Sequence, residues 1–189
     1  NDGKKLTLQK DNGLDHTNGW WNVVKVVDLD QDGNMDLICG NWGLNSKLSA
    51  SRNKPITLYT NDFDGNGTID PIVTYYHKDT ETPFASKDEL AKQMPFLNKE
   101  YLLYKSFANA SVEELLGKDR LNNAAKKQVF ELASCYYLND GKGQFLTKEL
   151  PRLAQSSAIY DLGLEDLTNN GTKELMVLGN NYEISTQLG

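Results

Sequence analysis

The stretch Asp28-Leu29-Asp30-Gln31-Asp32-Gly33-Asn34-Met35-Asp36 gathers four carboxylates into nine consecutive residues. Such a cluster repels itself unless a cation sits inside it. Acidic or amide side chains at loop positions 1, 3, 5 and 9, a glycine at 6 for the sharp turn and a carbonyl at 7 form an oxygen cage for a hard cation, and calcium is the natural occupant. An EF-hand would place a bidentate Glu at position 12 between two helices. Position 12 here is Cys39, and both flanks have the composition of strands. The loop is therefore expected to join two β-strands.

The pattern returns at Asp62-Phe63-Asp64-Gly65-Asn66-Gly67-Thr68-Ile69-Asp70, with Asn66 in place of the third Asp and Gly67 again at position 6. A third copy, Asp166-Leu167-Thr168-Asn169-Asn170-Gly171-Thr172-Lys173-Glu174, keeps the glycine and the framing acids but has lost most of its charge. It is expected to be a metal-free turn. A single Asp/Asn/Gly cluster is an ordinary surface turn; two full copies in one chain favour a metal site.

The copies belong to a longer repeat. Asn139-Asp140-Gly141-Lys142-Gly143-Gln144-Phe145 echoes Asn1-Asp2-Gly3-Lys4-Lys5-Leu6, and the 138-residue offset between them also separates Asp28 from Asp166. Each copy is a tight Asn-Asp-Gly hairpin, a connection, a strand, an acidic loop and a strand. Residues 20–29 lead into the first loop and 35–40 leave it; 159–167 and 174–179 do the same around the third. Both copies then reach Gly-Asn, at 40–41 and 179–180. Residues 55–60 and 71–76 frame the second loop. The opening strand of the first hairpin is missing, so the chain is expected to be a piece of a longer protein.

Residues 84–126 break this pattern. Ser86-Lys87-Asp88-Glu89 and Ser111-Val112-Glu113-Glu114 are capping-box starts, so helices are expected after each. Pro95 interrupts the first, Tyr101, Leu102, Tyr104 and Phe107 carry an apolar face onward, and Gly117 stops the second. Residues 121–130 fit either a further helix or a strand. The expected organisation is 1–83 with two calcium loops, 84–126 as a helical insertion between sheets, and 127–189 as a further repeat with a degenerate loop.

A net charge of −6 and a pI near 5.0 leave no basic stripe for nucleic acid or an anionic membrane. No apolar run reaches the roughly 20 residues of a membrane span. Cys39 and Cys135 lie in apolar strand-like segments, where a buried thiol is the ordinary reading and a disulfide the alternative. His16 and His77 are isolated and expected at the surface. Trp20, Trp21, Trp42, Tyr75 and Tyr76 suit either strand cores or a platform for sugar rings or a protein anchor. No nucleophile triad, phosphate loop or HExxH motif is present. Glu165-Asp166 is the one acidic pair outside the helix starts and full loops, leaving a polysaccharide hydrolase or lyase as the enzymatic alternative.

These loops resemble the FG-GAP/VCBS repeats of integrin-α-type β-propellers, whose blades carry a D-x-D-x-[DN]-G-x-x-D calcium loop between adjacent strands. Gly40-Asn41-Trp42-Gly43-Leu44-Asn45-Ser46-Lys47, the second loop and the Phe84-Ala85-Ser86 helical start are similar to extracytoplasmic FG-GAP proteins of the ASPIC/UnbV type of Bacteroidetes. The resemblance implies a mainly β fold, a partial β-propeller of antiparallel sheets with an α-helical insertion. It also implies an extracytoplasmic location and a binding or scaffold role toward a protein or glycan, with structural calcium. The implied ligands are the side chains of Asp28, Asp30, Asp32 and Asp36 with the carbonyl of Asn34. In the second loop they are Asp62, Asp64, Asn66 and Asp70 with the carbonyl of Thr68. The third loop departs from the pattern at Thr168, Asn170 and Glu174. A partial propeller also leaves strand edges open to self-association.

Overall fold

The computed structural model describes residue 3 and residues 5–179. In chain order its strands are β1 (Val23–Val27), β2 (Asp36–Gly40), β3 (Ile56–Asn61), β4 (Asp70–His77), β5 (Thr80–Pro83), β6 (Ala125–Val129), β7 (Cys135–Asn139), β8 (Phe145–Glu149), β9 (Asp161–Glu165) and β10 (Glu174–Leu178). Five short helices lie between β5 and β6: α1 (Lys87–Gln93), α2 (Leu97–Glu100), α3 (Tyr104–Asn109), α4 (Val112–Leu116) and α5 (Lys118–Asn122). The fold is mainly β. Its sheets are antiparallel and none of them closes on itself.

The chain divides into two compact units, 1–48 with 131–189, and 49–130. In the first, a four-stranded sheet has the order β1-β2-β7-β8, with β9 and β10 as a separate hairpin. The sheet is sequential apart from the segment between β2 and β7, where the whole second unit is inserted in the chain. Alternation sorts its side chains onto two faces. Ile38, Val23, Val27 and Tyr136 join Ile159, Leu162, Leu164 and Leu175 of the β9–β10 region in one core. Leu37, Cys39, Cys135 and Tyr137 join Leu14, Trp21 and Phe145 in the other. Trp20 turns instead to Trp42, edge-on at 5.5 Å, so the two adjacent tryptophans have different neighbours.

Where β2 and β7 end, a buried polar network replaces the ladder. The Asn41 backbone N–H donates to Ser134 Oγ at 2.9 Å, while Asn41 Nδ2 donates to the carbonyls of Glu131 and Ala133 at 3.0 and 3.2 Å. Gln155 Oε1 accepts from the Ser134 N–H, and its Nε2 donates to the carbonyls of Ser134 and Leu150. Asn41 is fully buried, and such groups are tolerated only when their hydrogen bonds are made. The Gly40-Asn41 repeat noted in the sequence thus marks a structural junction; its counterpart at Asn180 lies outside the described residues.

In the second unit the sheet order is β5-β4-β3-β6. Tyr59 and Ile72 from the sheet and Phe63 from the second acidic loop share one core with Leu90, Met94, Leu97, Phe107, Val112, Leu115 and Leu116 from the helices. Within the expected 84–126 insertion, α1–α5 pack on the sheet that carries the second acidic loop, while Ala125 and Lys126 already belong to β6. Both capping boxes form, at Ser86 with Glu89 and at Ser111 with Glu114. Leu102 and Tyr104, expected on an apolar face, are exposed while Phe107 is buried, because non-helical residues between α2 and α3 break the periodicity. The ambiguous 121–130 segment divides into the end of α5 and strand β6, whose exposed Lys126 and Lys127 guard an outer edge.

The strand expected from the first Asn-Asp-Gly does not form among the described residues, and Asn1, Asp2 and Lys4 lie outside them. Residues 5–10 have no regular structure, and Leu6 and Leu8 are more than four-fifths exposed. A strand needs a ladder, and none of the described sheets includes residues 5–10. At residues 139–145 the same signal succeeds, because β7 and β8 pair on either side of it. His16 and His77 are exposed. Among the described residues no helix is long and apolar enough to cross a membrane.

Candidate metal centre

Each acidic loop is folded by its own carboxylates before any cation is considered. In the first, Asp28 accepts from the N–H groups of Asp32 at 3.2 Å and Gly33 at 3.0 Å, and Asp36 accepts from the Leu29 N–H at 2.8 Å. In the second, Asp62 accepts from Asn66 at 3.0 Å and Gly67 at 2.8 Å, and Asp70 from Phe63 at 3.1 Å. The third repeats the scheme with Asp166, Asn170, Gly171, Glu174 and Leu167. Position 6 has φ of +88° at Gly33, +87° at Gly67 and +82° at Gly171, a left-handed conformation that glycine adopts without a Cβ clash. Position 4 is also left-handed in all three, at Gln31, Gly65 and Asn169.

The first two loops then diverge from the third. Carboxylate oxygens of Asp28, Asp30 and Asp36 lie within 4.8 Å of one another, as do those of Asp62, Asp64 and Asp70. The third loop has Thr168 at position 3, whose hydroxyl donates to Glu174 at 3.2 Å. Among the described residues only the two full copies bring three acidic groups together in this way.

The position 5 residues, Asp32 and Asn66, are not turned wholly into those clusters. Asp32 accepts from the Asn34 backbone N–H at 2.7 Å and from Asn34 Nδ2 at 2.9 Å, and Asn66 Oδ1 accepts from the Thr68 N–H at 2.7 Å. These short Asx turns fix Asn34 and Thr68 at position 7. The remaining lone pairs on Asp32 and Asn66 are available to a cation.

Electrostatics within the two loops follows burial and hydrogen bonding. The Asn34 N–H and side chain hold Asp32 below the usual carboxylate range. The Gly67 N–H, followed by those of Gly65 and Asn66, does the same for Asp62. Asp70 moves the other way: burial raises it, against the Phe63 N–H, and the charges of Asp64 and Asp62 add to the rise. Asp70 is 3% exposed and Asp36 fully buried. A buried carboxylate beside two others is relieved by a cation, and an all-oxygen donor set suits calcium or magnesium rather than a soft metal. The residues present therefore fit a hard divalent ion.

The first loop has a second support that short-range sequence patterns do not reveal. The Asn139 N–H donates to Asp36 Oδ1 at 2.7 Å, and Asn139 Nδ2 donates to the Met35 carbonyl at 3.1 Å. Gly141, with φ of +70°, lies so close to Asn34 that a Cβ there would come within 2.7 Å of its side chain. The β7–β8 turn thus holds the loop from outside. Its Asn-Asp-Gly signature was legible, but its contact with the acidic loop was not.

Within the Glu165-Asp166 pair, Asp166 has a structural role. Asp166 is engaged by two loop N–H groups, and Glu165 pairs with Glu174 across β9 and β10. Compared with family models, curated proteins and solved structures, the chain matches none of them.

Proposed function

We propose that this chain is a calcium-stabilised, extracytoplasmic binding or scaffold module for a protein or glycan, built on the β-propeller plan of FG-GAP/VCBS repeats. The observation that carries the reading is the pair of three-carboxylate clusters, each with oxygens within 4.8 Å and each tying together the two strands on either side of its loop. Asp28, Asp30, Asp32 and Asp36 with the Asn34 carbonyl would hold one ion. Asp62, Asp64, Asn66 and Asp70 with the Thr68 carbonyl would hold the other. A bound ion supplies the positive charge that lets these carboxylates remain together, so metal affinity becomes folding stability. Outside cells calcium is abundant enough to fill even weak modules of this kind.

Support for the propeller plan comes from a four-stranded antiparallel sheet with the next hairpin packed on one face, the arrangement that neighbouring blades require. Among the described residues β1 and β8 are the outer strands of this sheet, and outer strands suit a further blade or a second copy. No specific observation favours the hydrolase or lyase alternative, since Asp166 is engaged in holding its turn.

The test is thermal unfolding with excess calcium, with excess magnesium and with chelator, alongside calorimetric titration of calcium into the stripped chain. Two bound calcium ions and a higher melting temperature are expected. Unfolding that does not respond to calcium, with no binding heat, would overturn the metal reading and remove the main support for the family assignment.

A further inference from the structure

Cys39 on β2 and Cys135 on β7 are directly opposed partners in the antiparallel register. They share one small core with Ala133 and Tyr137. The Leu150 N–H donates to the Ser134 carbonyl toward β8, so strand alternation turns the backbone groups of Cys135 toward β2. The pair is then of the hydrogen-bonded class, with Cα atoms about 5.5 Å apart. That separation lies inside the roughly 4.4–6.8 Å range of disulfides, although the Cβ atoms must draw together to reach about 4 Å. Access is one-sided. Cys39 lines a groove of about 360 Å3, together with Leu14, Thr17, Trp21, Val24 and Leu37, whereas Cys135 is fully buried.

We propose that Cys39 and Cys135 form a reversible cross-strand disulfide, with Cys39 the entry point and an external disulfide of the glutathione class as oxidant. Cys39, as thiolate, attacks one sulfur of oxidised glutathione, and a glutathione thiolate leaves and takes up a proton. Cys135, as thiolate, then attacks the Cys39 sulfur of the mixed disulfide and expels the second glutathione. The two cysteines lose two protons and two electrons, and one glutathione disulfide is reduced to two thiols. Burial pushes the Cys39 thiol up to about 11. Burial, with the charges of Glu131, Glu149 and Cys39, pushes Cys135 up to about 12. Exchange is consequently slow at neutral pH and quickens as pH rises. The strain of closing a hydrogen-bonded pair makes the bond more readily reduced than a permanent staple. It would clamp the two central strands of the sheet on either side of the inserted unit in the sequence, and it does not depend on calcium.

The test is equilibration of the folded chain with reduced and oxidised glutathione, followed by acid quench, alkylation and intact mass measurement. The wild type is expected to lose two hydrogens and two alkylation sites without retaining glutathione. Cys135→Ala should stop at one glutathionyl group on Cys39, and Cys39→Ala should leave Cys135 almost unmodified. At one glutathione ratio, the ratio of bonded to open chain is expected to be at least about tenfold higher when folded than in denaturant, where a long loop must close. Circular dichroism of both variants checks that they fold. Two alkylatable thiols in the oxidised wild type, arrest at the Cys39 adduct, or equal bonding in denaturant would each overturn the proposal.

Discussion

The backbone N–H of Asn139 donates to Oδ1 of Asp36 across 103 positions of sequence, while the other oxygen of the same carboxylate accepts from Leu29 within the loop. One buried side chain therefore closes the acidic loop and fastens it to the β7–β8 turn. Replacing Asp36 by Ala strands two backbone donors, and about 2–4 kcal/mol of stability should be lost in urea unfolding. Asn139→Ala keeps its backbone donor, loses only exposed side-chain bonds and should cost under about 1 kcal/mol.

Calcium response separates ligand roles from scaffold roles. Asp30 and Asp64 are in the carboxylate clusters, and each accepts one loop N–H, from Asp32 at 3.3 Å and from Asn66 at 3.1 Å, fewer than Asp28 and Asp62 accept. Asp30→Ala and Asp64→Ala should each remove the calcium response of one loop and leave the chelated protein nearly as stable as wild type. A filled site at a hundredfold excess over its Kd contributes about 2.7 kcal/mol, which differential scanning calorimetry resolves.

The third loop has the turn without the clustered charge. Asp166→Ala removes the acceptor for the Asn170 and Gly171 N–H groups and should lower stability by about 1 kcal/mol. The calcium titration should keep the same stoichiometry in this variant. A lost binding event would assign metal to the third loop.

Gly141 tests the external support of the first loop. A Cβ at this position meets Asn34 and also faces a left-handed backbone. Gly141→Ala should cost about 1–2 kcal/mol and weaken calcium binding at the first loop alone. Isothermal titration would show one affinity reduced and the other retained.

The helix caps give a pH-dependent prediction. The Ser111 N–H and then its hydroxyl hold Glu114 below the ordinary glutamate value of 4.5. A carboxylate depressed on folding contributes stability that is present above its unfolded value and disappears as pH falls through the folded value. The difference in urea midpoint between wild type and Glu114→Ala should therefore be full near neutrality and narrow on acidification. Ser86→Ala should cost about 1 kcal/mol.

Much of the candidate site was legible because its contacts are short-range. Asp28 bonds Gly33 five positions on, Asp62 bonds Gly67 likewise, and Ser86 and Ser111 cap helices through residues three positions away. The same locality made 5–8 misleading, since an alternating run that joins no ladder does not make a strand. The grouping of Phe63 with Leu90, Met94 and Leu116 in one core could not be seen locally either, because the helical stretch carries no mark of the sheet it covers.

The sequence by itself determined the acidic loops, their left-handed glycines, the strands on either side and the helix starts, because each is satisfied by groups within a few residues. Only the tertiary structure decided that β2 pairs with β7, that Asn139 closes the first loop, and that Cys39 faces Cys135. Those contacts depend on burying apolar faces and satisfying polar groups across the whole chain, and no short window of residues contains both partners.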